Sequence, residues 1–175
     1  MMQTPRVLIF TGEGKGKTTA ALGLAFRASG HGLRTCMIQF VKADDAVGEV
    51  AAARDSAQIQ IIQTGLGFLP PATSPAFRDH QAAAQSGLRR AAEILASARF
   101  EVVILDEVCL AVARGLIDEQ QVISLIAQAP SAACLVLTGR GATPGLIALA
   151  DTVTNMQCVK HGLEAGIAAQ KGVEQ

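Results

Sequence analysis

The segment from Thr11 to Thr18 has the residue types and spacing of a phosphate-binding loop. It reads Thr-Gly-Glu-Gly-Lys-Gly-Lys-Thr, which matches the pattern GxxxxGK[ST] except that Thr11 replaces the first glycine. In such a loop, backbone N–H groups point at one anion, and the dipole of the following helix also favours negative charge. Lys17 supplies a positive charge, Thr18 offers its hydroxyl to Mg2+, and both side chains are expected to face solvent in the empty site. The alternative is a glycine-rich turn that caps an ordinary helix.

A pair of acidic residues, Asp106 and Glu107, follows a run of apolar residues. Residues 102–105 are typical of a strand buried in a parallel sheet, and the carboxyl ends of such strands lie at the edge where these sheets bind ligands. Because the chain also contains Lys17 and Thr18, we predict that one of the two carboxylates contacts a metal, directly or through water. The alternative is a carboxylate that caps the next helix from the solvent.

The elements that must position these residues alternate along the chain. Apolar runs predict five strands, at residues 6–10, 35–41, 58–62, 101–106 and 133–138. Amphipathic or Ala/Leu-rich stretches predict three helices, from the phosphate-binding loop to Ser29, from 76 to 97, and from 118 to 129. Residues 146–150 and the stretch after Asp151 are expected to complete the sheet edge, and residues 161–175 to form a loop or short helix.

This order of elements predicts an α/β protein. Strands that are apolar throughout, joined by helices, indicate a mainly parallel sheet with helices on both faces, in three α/β/α layers. The phosphate-binding loop after the first strand makes the expected fold P-loop NTPase-like (RecA-like). At 175 residues, without a repeat or a linker, the chain is expected to form a single domain over residues 1–175.

The composition excludes several classes of protein. Lys+Arg and Asp+Glu are equal at 15 each, and aromatic residues make up 3% of the chain, so no nucleic-acid-binding surface is expected. Charged residues or glycines interrupt every apolar run before it reaches the length of a membrane span. The first residues have no signal-peptide pattern and the four cysteines form no CxxC pair. We therefore expect a cytoplasmic protein with reduced thiols that binds no membrane.

Further motifs narrow the large class of P-loop proteins. They stand at residues 10–25, 39–42, 48–49, 64–68, 105–107, 137–141, 150–153 and 159–161, with Gly166. In this order and spacing the sequence closely resembles the P-loop type of corrinoid adenosyltransferase over nearly the whole chain. Three motifs are each more specific than a phosphate-binding loop alone. They are the TGEGKGKTT loop, the TGRG segment, and the pattern formed by DTV at 151–153, VKH at 159–161 and Gly166.

The resemblance implies transfer of the 5'-deoxyadenosyl group of ATP to Co(I) of a corrinoid, cobalamin or cob(I)yrinic acid a,c-diamide, in cobalamin biosynthesis or salvage. Triphosphate is the leaving group. Because Co(I) is itself a strong nucleophile, the protein must position C5' and stabilise charge on the triphosphate. Thr18 and Glu107 are implied Mg2+ contacts with Asp106 as their supporting residue, and Lys17, Phe68 and Glu107 are implied catalytic residues. The implied nucleotide-binding residues are Gly12, Glu13, Gly14, Lys15, Gly16, Lys17, Thr18, Thr19 and Arg140.

One segment departs from the family pattern. Members of this family often have an aromatic pair in a GFTW segment, which helps to displace the lower axial ligand of cobalt. The present chain has Gly67-Phe68-Leu69-Pro70, so Phe68 matches while Pro70 replaces the tryptophan. Arg140 is a candidate for contact with phosphate or with a corrinoid acetamide, or for capping its own loop.

The resemblance also implies partners. A homodimer is expected, together with a flavodoxin-like reductant that supplies Co(I). The chain starts close to its first strand, without the N-terminal extension that covers the site in longer relatives, so we expect a partner subunit or the tail to close the site.

Two other functions are compatible with the sequence. A different P-loop small-molecule kinase or ATPase would use Glu107 to activate a hydroxyl group or water and would form ADP. A non-catalytic corrinoid- or nucleotide-binding protein would bind its ligand without turnover, and the replacement of the tryptophan by Pro70 favours this reading.

Overall fold

The computed structural model describes residues 4–173, except the side chain of Leu163, and contains a sheet in which all paired strands are parallel. The strands are β1 (Arg6–Thr11), β2 (Thr35–Gln39), β3 (Ile59–Gln63), β4 (Val102–Asp106), β5 (Cys134–Thr138) and β6 (Thr152–Asn155). Their order across the sheet is β3-β2-β4-β5-β1-β6. The α/β class and the parallel sheet are therefore confirmed.

The connections between the strands are mostly helical. Within the described residues the helices are α1 (Lys17–Ser29), α2 (Gly48–Arg54), α3 (Phe77–Ala96), α4 (Val108–Ala113), α5 (Glu119–Ala127), α6 (Pro144–Leu149) and a short 3-10 helix (Gly162–Ala165). In this part of the chain, we find no helix with the length and apolarity needed to cross a membrane.

The core consists of two apolar clusters, one on each face of the sheet. On one face, side chains such as Ile9, Ile38 and Leu105 pack against α3, α4, α5 and α6. On the other face, the small side chains of Ala21 and Ala25 bring α1 close to the central strands. Because α1 lies over the sheet and follows β1 after only the short phosphate-binding loop, its N-terminus stands at the carboxyl edge of the sheet, next to the end of β4.

Most predicted elements agree with the structure to within one or two residues, but one prediction is wrong. Residues 146–150 do not join the sheet edge, since Pro144–Leu149 forms α6 and β6 alone completes that edge. The start signal of α6 is local: the Thr143 side chain accepts a hydrogen bond from the N–H of Leu146 and proline occupies the first turn. Helices α2 and α4 were not predicted, because each has too few residues to show a helical period.

Two further expectations concern the ends of elements. β2 ends at Gln39 instead of residue 41, so Lys42 belongs to a loop at the carboxyl edge. The expected loop or short helix at residues 161–175 is confirmed for the described part, to residue 173. Residues 1–3 and 174–175 lie outside the described residues.

Candidate functional site

The phosphate-binding loop connects β1 to α1 and is fastened to the segment that follows β6. The N–H of Gly14 donates to the carbonyl oxygen of Met156 at 2.7 Å, and the N–H of Met156 donates to that of Thr11 at 2.8 Å. Gly12 has a φ of 98°, and a Cβ there would clash with the side chain of Asn155 and the backbone of Met156. The loop is therefore shaped by a close approach that only glycine permits.

Lys17 is folded back onto the loop. Its Nζ donates to the carbonyl oxygens of Gly12 at 2.8 Å and Gly14 at 2.7 Å, and the residue is only 7% exposed. The expectation that Lys17 faces the solvent is therefore wrong, because the loop itself satisfies the ammonium group. Burial lowers the pKa of Lys17, and the Glu107 carboxylate opposes this shift.

Asp106, the last residue of β4, is fully buried and both of its carboxylate oxygens have partners. Oδ1 accepts hydrogen bonds from Thr18 Oγ1 at 2.8 Å and Thr138 Oγ1 at 2.7 Å. Oδ2 accepts one from Gln39 Nε2 at 3.2 Å and lies 3.5 Å from Lys42 Nζ. Because Thr18 gives its proton to Asp106, the lone pairs of its oxygen are available to a cation. Asp106 thus orients Thr18, which also does not simply face the solvent.

Glu107 takes an unusual backbone conformation at the start of α4. Its φ of 63° and ψ of 18° lie in the left-handed region, which is uncommon for residues other than glycine. Among the residues that the structure describes, its buried Oε2 has no hydrogen-bond partner and its side chain does not cap α4. The capping alternative therefore has no support. Burial, and then the Asp106 carboxylate, raise the pKa of Glu107 against the opposing effect of Lys17.

Gly139 makes room for Glu107. It has a φ of 131°, and a Cβ at this position would lie 2.6 Å from the backbone nitrogen of Leu110 and 3.2 Å from Glu107 Oε2. Any side chain here would press on the first turn of α4 and on the carboxylate. The first glycine of the TGRG segment is therefore required by packing against the site.

The oxygen atoms of Thr18 and Glu107 fit a magnesium ion, whereas those of Asp106, also a predicted metal contact, are engaged by Thr18, Thr138, Gln39 and Lys42. Mg2+ prefers oxygen ligands, keeps several waters, and is usually bound by one or two carboxylates together with substrate phosphates. The unpartnered, buried Glu107 Oε2 is a polar atom that such a cation would satisfy. Within residues 4–173 no group of three or more His, Cys, Asp or Glu side chains could hold a metal ion. A Mg2+ ion held here would take only some of its ligands from these residues, and water and substrate phosphates would supply the others.

A cavity of about 470 Å³ lies beside the loop and the start of α1; we call it the polar cavity. It is lined by the predicted phosphate-binding residues from 15 to 19, by Glu107, and by Lys42, Glu49, His161, Gly172 and Val173, among others. Lys15 Nζ donates to the carbonyl oxygen of Val173 at 2.9 Å. Gly12, Glu13 and Gly14, also predicted to bind the nucleotide, are not among the lining residues.

Phe68 and Arg140 lie on a second cavity of about 680 Å³, which is mainly apolar; we call it the apolar cavity. Phe68 is 96% exposed, so it adds nothing to the core. Arg140 Nη1 lies 3.2 Å from Glu13 Oε2, which links the loop after β5 to the phosphate-binding loop. The structure thus brings Lys17 and Glu107 to one cavity and Phe68 and Arg140 to another.

Sequence reasoning assigned no role to three residues that surround Asp106. Gln39, Lys42 and Thr138 lie in motifs that the sequence displays, but their contacts with Asp106 depend on the order of the strands. β2 and β5 flank β4 in the sheet, although β3 separates β2 from β4 along the chain and two helices separate β5 from β4. A single sequence contains no signal for that adjacency.

Comparison with known proteins identifies the family of this chain. The family model for ATP:corrinoid adenosyltransferase BtuR/CobO/CobP matches residues 3–175. The corrinoid adenosyltransferase of Pseudomonas aeruginosa is 40% identical over 169 residues, which cover 96% of this chain and 82% of the relative. Those of Salmonella typhimurium (strain LT2) and Escherichia coli (strain K12) are 35% and 33% identical, each over 96% of this chain and 84% of the relative. The resemblance drawn from the motifs is confirmed, and the chain belongs to the ATP:corrinoid adenosyltransferase family.

Proposed function

We propose that this chain transfers the 5'-deoxyadenosyl group of ATP to Co(I) of a corrinoid and releases inorganic triphosphate. The observation that carries this proposal is the pair of neighbouring cavities. The polar cavity has three lysines, Lys15, Lys17 and Lys42, at its lining and suits a polyphosphate. The apolar cavity, with Phe68 at its edge, suits a larger and less charged substrate.

The phosphate-binding loop would hold the triphosphate as a leaving group. Backbone N–H groups from Gly12 to Thr19, apart from that of Gly14, and the ammonium groups of Lys15 and Lys17 would stabilise the negative charge that grows on it. Lys17 must exchange its two carbonyl partners for phosphate oxygens, which are stronger acceptors because they are charged. The N–H of Gly14 already donates to the carbonyl oxygen of Met156, so it stabilises the conformation of the loop.

Mg2+ is part of the proposal. Thr18 and Glu107 would hold it, and Asp106 would keep the Thr18 oxygen turned toward it through the hydrogen bond that it accepts. When bound, Mg2+ supplies positive charge to the phosphates. Glu107 lines the polar cavity and not the apolar one, so we assign it no role in activating an attacking group. Slow ATP hydrolysis in the absence of corrinoid is expected.

Phe68 would contact the corrinoid. It is an exposed aromatic side chain beside Leu69, which packs against the core, and an aromatic side chain held this way is suited to wedge against a flat ring. With Pro70 in place of the family tryptophan, Phe68 acts without its aromatic partner. Arg140 lines the same cavity and is a candidate for contact with the polar groups at the edge of the corrin ring.

Several features beyond the chemistry complete the proposal. We propose a single domain over residues 1–175, and the sharing of one sheet by the six strands of the described residues supports this. The protein works as a homodimer and depends on a flavodoxin-like reductant, because Co(I) has to be supplied. Its four cysteines, Cys36, Cys109, Cys134 and Cys158, are all unpaired, which supports a location in the reducing cytoplasm.

Phosphorus NMR tests the reaction directly. Under anaerobic conditions, with chemically reduced corrinoid and Mg-ATP, we expect triphosphate to form in step with a cobalt–carbon bond, and little phosphate to appear when corrinoid is omitted. Stoichiometric ADP and phosphate without a light-sensitive alkylated corrinoid would favour the kinase or ATPase alternative. Ligand binding without any product would favour the non-catalytic binding protein.

A further inference from the structure

Lys42 stands between the two cavities. Among the residues that the structure describes, it alone lines both the polar cavity and the apolar cavity. Its side chain is 33% exposed, so it is neither buried in the core nor free on the surface. The reacting carbon of a nucleotide in the polar cavity must meet a corrinoid in the apolar cavity where the two adjoin. Lys42 therefore lies next to the place where the reaction has to occur.

Two carboxylates fix the ammonium group of Lys42. Its Nζ lies 3.1 Å from Glu49 Oε1 and 3.5 Å from Asp106 Oδ2. Although burial raises the pKa of Glu49, hydrogen bonding from its own backbone and the charge of Lys42 hold that pKa below its usual value. Glu49 is thus an ionised partner that keeps Lys42 in place at the carboxyl edge of the sheet.

The Asp106 contact of Lys42 is the longer and weaker of the two. Asp106 already accepts hydrogen bonds from Thr18, Thr138 and Gln39, so its charge remains well compensated when Lys42 turns away. A lysine has a flexible stem with three rotatable donors. Lys42 can therefore keep its bond to Glu49 and offer another N–H to a phosphate oxygen at the junction.

The other cations near the site are differently engaged. Lys17 donates to two carbonyl oxygens of the phosphate-binding loop and Lys15 to the carbonyl oxygen of Val173. Arg140 is 58% exposed and faces Glu13. Neither lysine lines the apolar cavity, and Arg140 does not line the polar one. Arg114 lines the apolar cavity but not the polar one. Of these five cations, Lys42 is the one placed to reach the bond that breaks.

We infer that Lys42 is a catalytic residue of the transfer, which stabilises negative charge on the oxygen that leaves C5'. This inference rests on the proposed function. In the step, an electron pair of Co(I) forms the bond to C5', and cobalt becomes Co(III). The C5'–O5' bond breaks with both of its electrons, so the departing oxygen becomes a charged α-phosphate oxygen of the triphosphate and no proton moves. A donor at this oxygen is more effective in the transition state than in the ground state.

The test compares Lys42→Met, which removes the charge at similar length, with Lys42→Arg, which keeps it. Arg54→Met is the matched control, because Arg54 forms an exposed ion pair with Asp45 on the neighbouring segment. For each variant we would measure kcat and KM with reduced corrinoid and Mg-ATP, and analyse the product. Without corrinoid, we would also measure the Kd for ATP and the affinity for Mn2+ by electron paramagnetic resonance.

Lys42→Met should lower kcat by about 100-fold, the usual effect of removing one donor from a developing oxyanion. Its Kd for ATP should change by less than about threefold, which also reports that the variant is folded. The affinity for Mn2+ should stay the same or increase, because a positive charge near the cation has been removed. The kcat of Lys42→Arg should be at least about tenfold higher than that of Lys42→Met. The kcat of Arg54→Met should equal that of the wild type.

Two outcomes would overturn the role of Lys42 while leaving the proposed function intact. One is triphosphate formation by Lys42→Met at a kcat within about threefold of the wild type. The other is a joint loss of kcat and Mn2+ affinity, which would show that Lys42 only holds Asp106 in place. If instead the wild type forms ADP, the proposed function fails and this role fails with it.

Discussion

The polar and apolar cavities differ in how firmly their side chains are held. In the polar cavity, Lys17 is almost fully buried with two hydrogen bonds, and the site behind it is organised by Asp106, which has four polar neighbours. In the apolar cavity, Phe68 is almost fully exposed and Arg140 is held by one exposed ion pair. The polar cavity is thus organised before a ligand arrives, whereas Phe68 in the apolar cavity would be packed only when a ligand covers it.

This difference has an energetic consequence. Preorganised polar groups lose little entropy on binding and act at full strength in the transition state. An exposed aromatic ring gains its contact energy only when a substrate covers it. Substitutions in the polar cavity should therefore lower turnover most. Substitutions in the apolar cavity should change the use of the corrinoid and leave the affinity for ATP unchanged.

The largest effect is expected for the phosphate-binding loop. Lys17→Ala and Thr18→Ala should each lower turnover by about 10³-fold, since each removes charge or a cation ligand at the triphosphate. The melting temperature should fall by less than about 8 °C, because the loop contributes little apolar packing. Turnover and thermal unfolding would be measured on the same samples. Near-normal turnover in both variants would refute the assignment of the polar cavity to the phosphates.

Glu107→Gln tests the buried carboxylate and should lower turnover by about 10²-fold if it binds Mg2+. Its raised pKa also makes a prediction about stability. A group with a raised folded-state pKa stabilises the protein below its unfolded pKa of about 4.3, and this contribution is lost as the pH rises through the folded-state pKa. Without nucleotide and metal, Glu107→Gln should therefore melt above the wild type at pH 7.5, with a smaller difference at pH 4.5.

Glu93→Gln is the control for this pH dependence, since Glu93 is an exposed partner of Arg90 on α3. Its melting temperature should follow that of the wild type at both pH values. A Glu107→Gln shift of equal size at pH 4.5 and pH 7.5 would contradict the burial of an ionisable carboxylate at this position.

A smaller effect, confined to one substrate, is expected in the apolar cavity. Phe68→Ala should leave the Kd for ATP and the melting temperature unchanged, because the ring lies outside the core. Turnover should fall by about tenfold when the corrinoid is supplied as Co(II) together with a reductant, and by less when it is supplied as Co(I). Phe26→Ala, a 77% exposed phenylalanine on α1, is the matched control. Equal losses from both cobalt states would exclude a role in assisting reduction.

The smallest effect is expected at the link between the two cavities. The ion pair of Glu13 and Arg140 is exposed, and such pairs contribute about 1 kcal/mol or less to stability. Glu13→Gln removes a negative charge from the phosphate-binding loop, so the Kd for ATP should fall by about twofold at low salt and by less at high salt. Asp45→Asn, which breaks a similar exposed pair, should not change the Kd. A weaker affinity for ATP in Glu13→Gln would show that Glu13 supports the loop.

The features that the sequence predicted correctly each lie within one contiguous segment of the chain. The phosphate-binding loop and the pair Asp106 and Glu107 were recognisable because each motif lies in one segment at the end of an apolar strand. The strands and long helices followed from hydrophobic periodicity, and α5 begins next to Asp118, whose side chain caps it. Residues 146–150 were wrongly assigned to the sheet because a short apolar run has the same pattern in a strand and in a helix.

What could not be predicted depends on contacts between distant segments. The burial of Lys17 against loop carbonyls follows from the three-dimensional path of the loop. The approach of Lys42 to Asp106 follows from the pairing of β2 with β4. Strand order is a property of the whole sheet. The neighbours of a predicted carboxylate therefore cannot be identified from a single sequence, even where the motifs that contain them can be recognised.

The bond between Gly14 and Met156 has a consequence for biosynthesis. During synthesis the N-terminal elements of a chain leave the ribosome first. β1 and the phosphate-binding loop are made early, but β6, which leads into Met156, follows the other five strands in the sequence. A nascent chain that stops before Thr152 leaves β1 as an open edge and the loop without the backbone bonds that shape it. The phosphate-binding loop thus acquires its observed shape only after β6 has been synthesised.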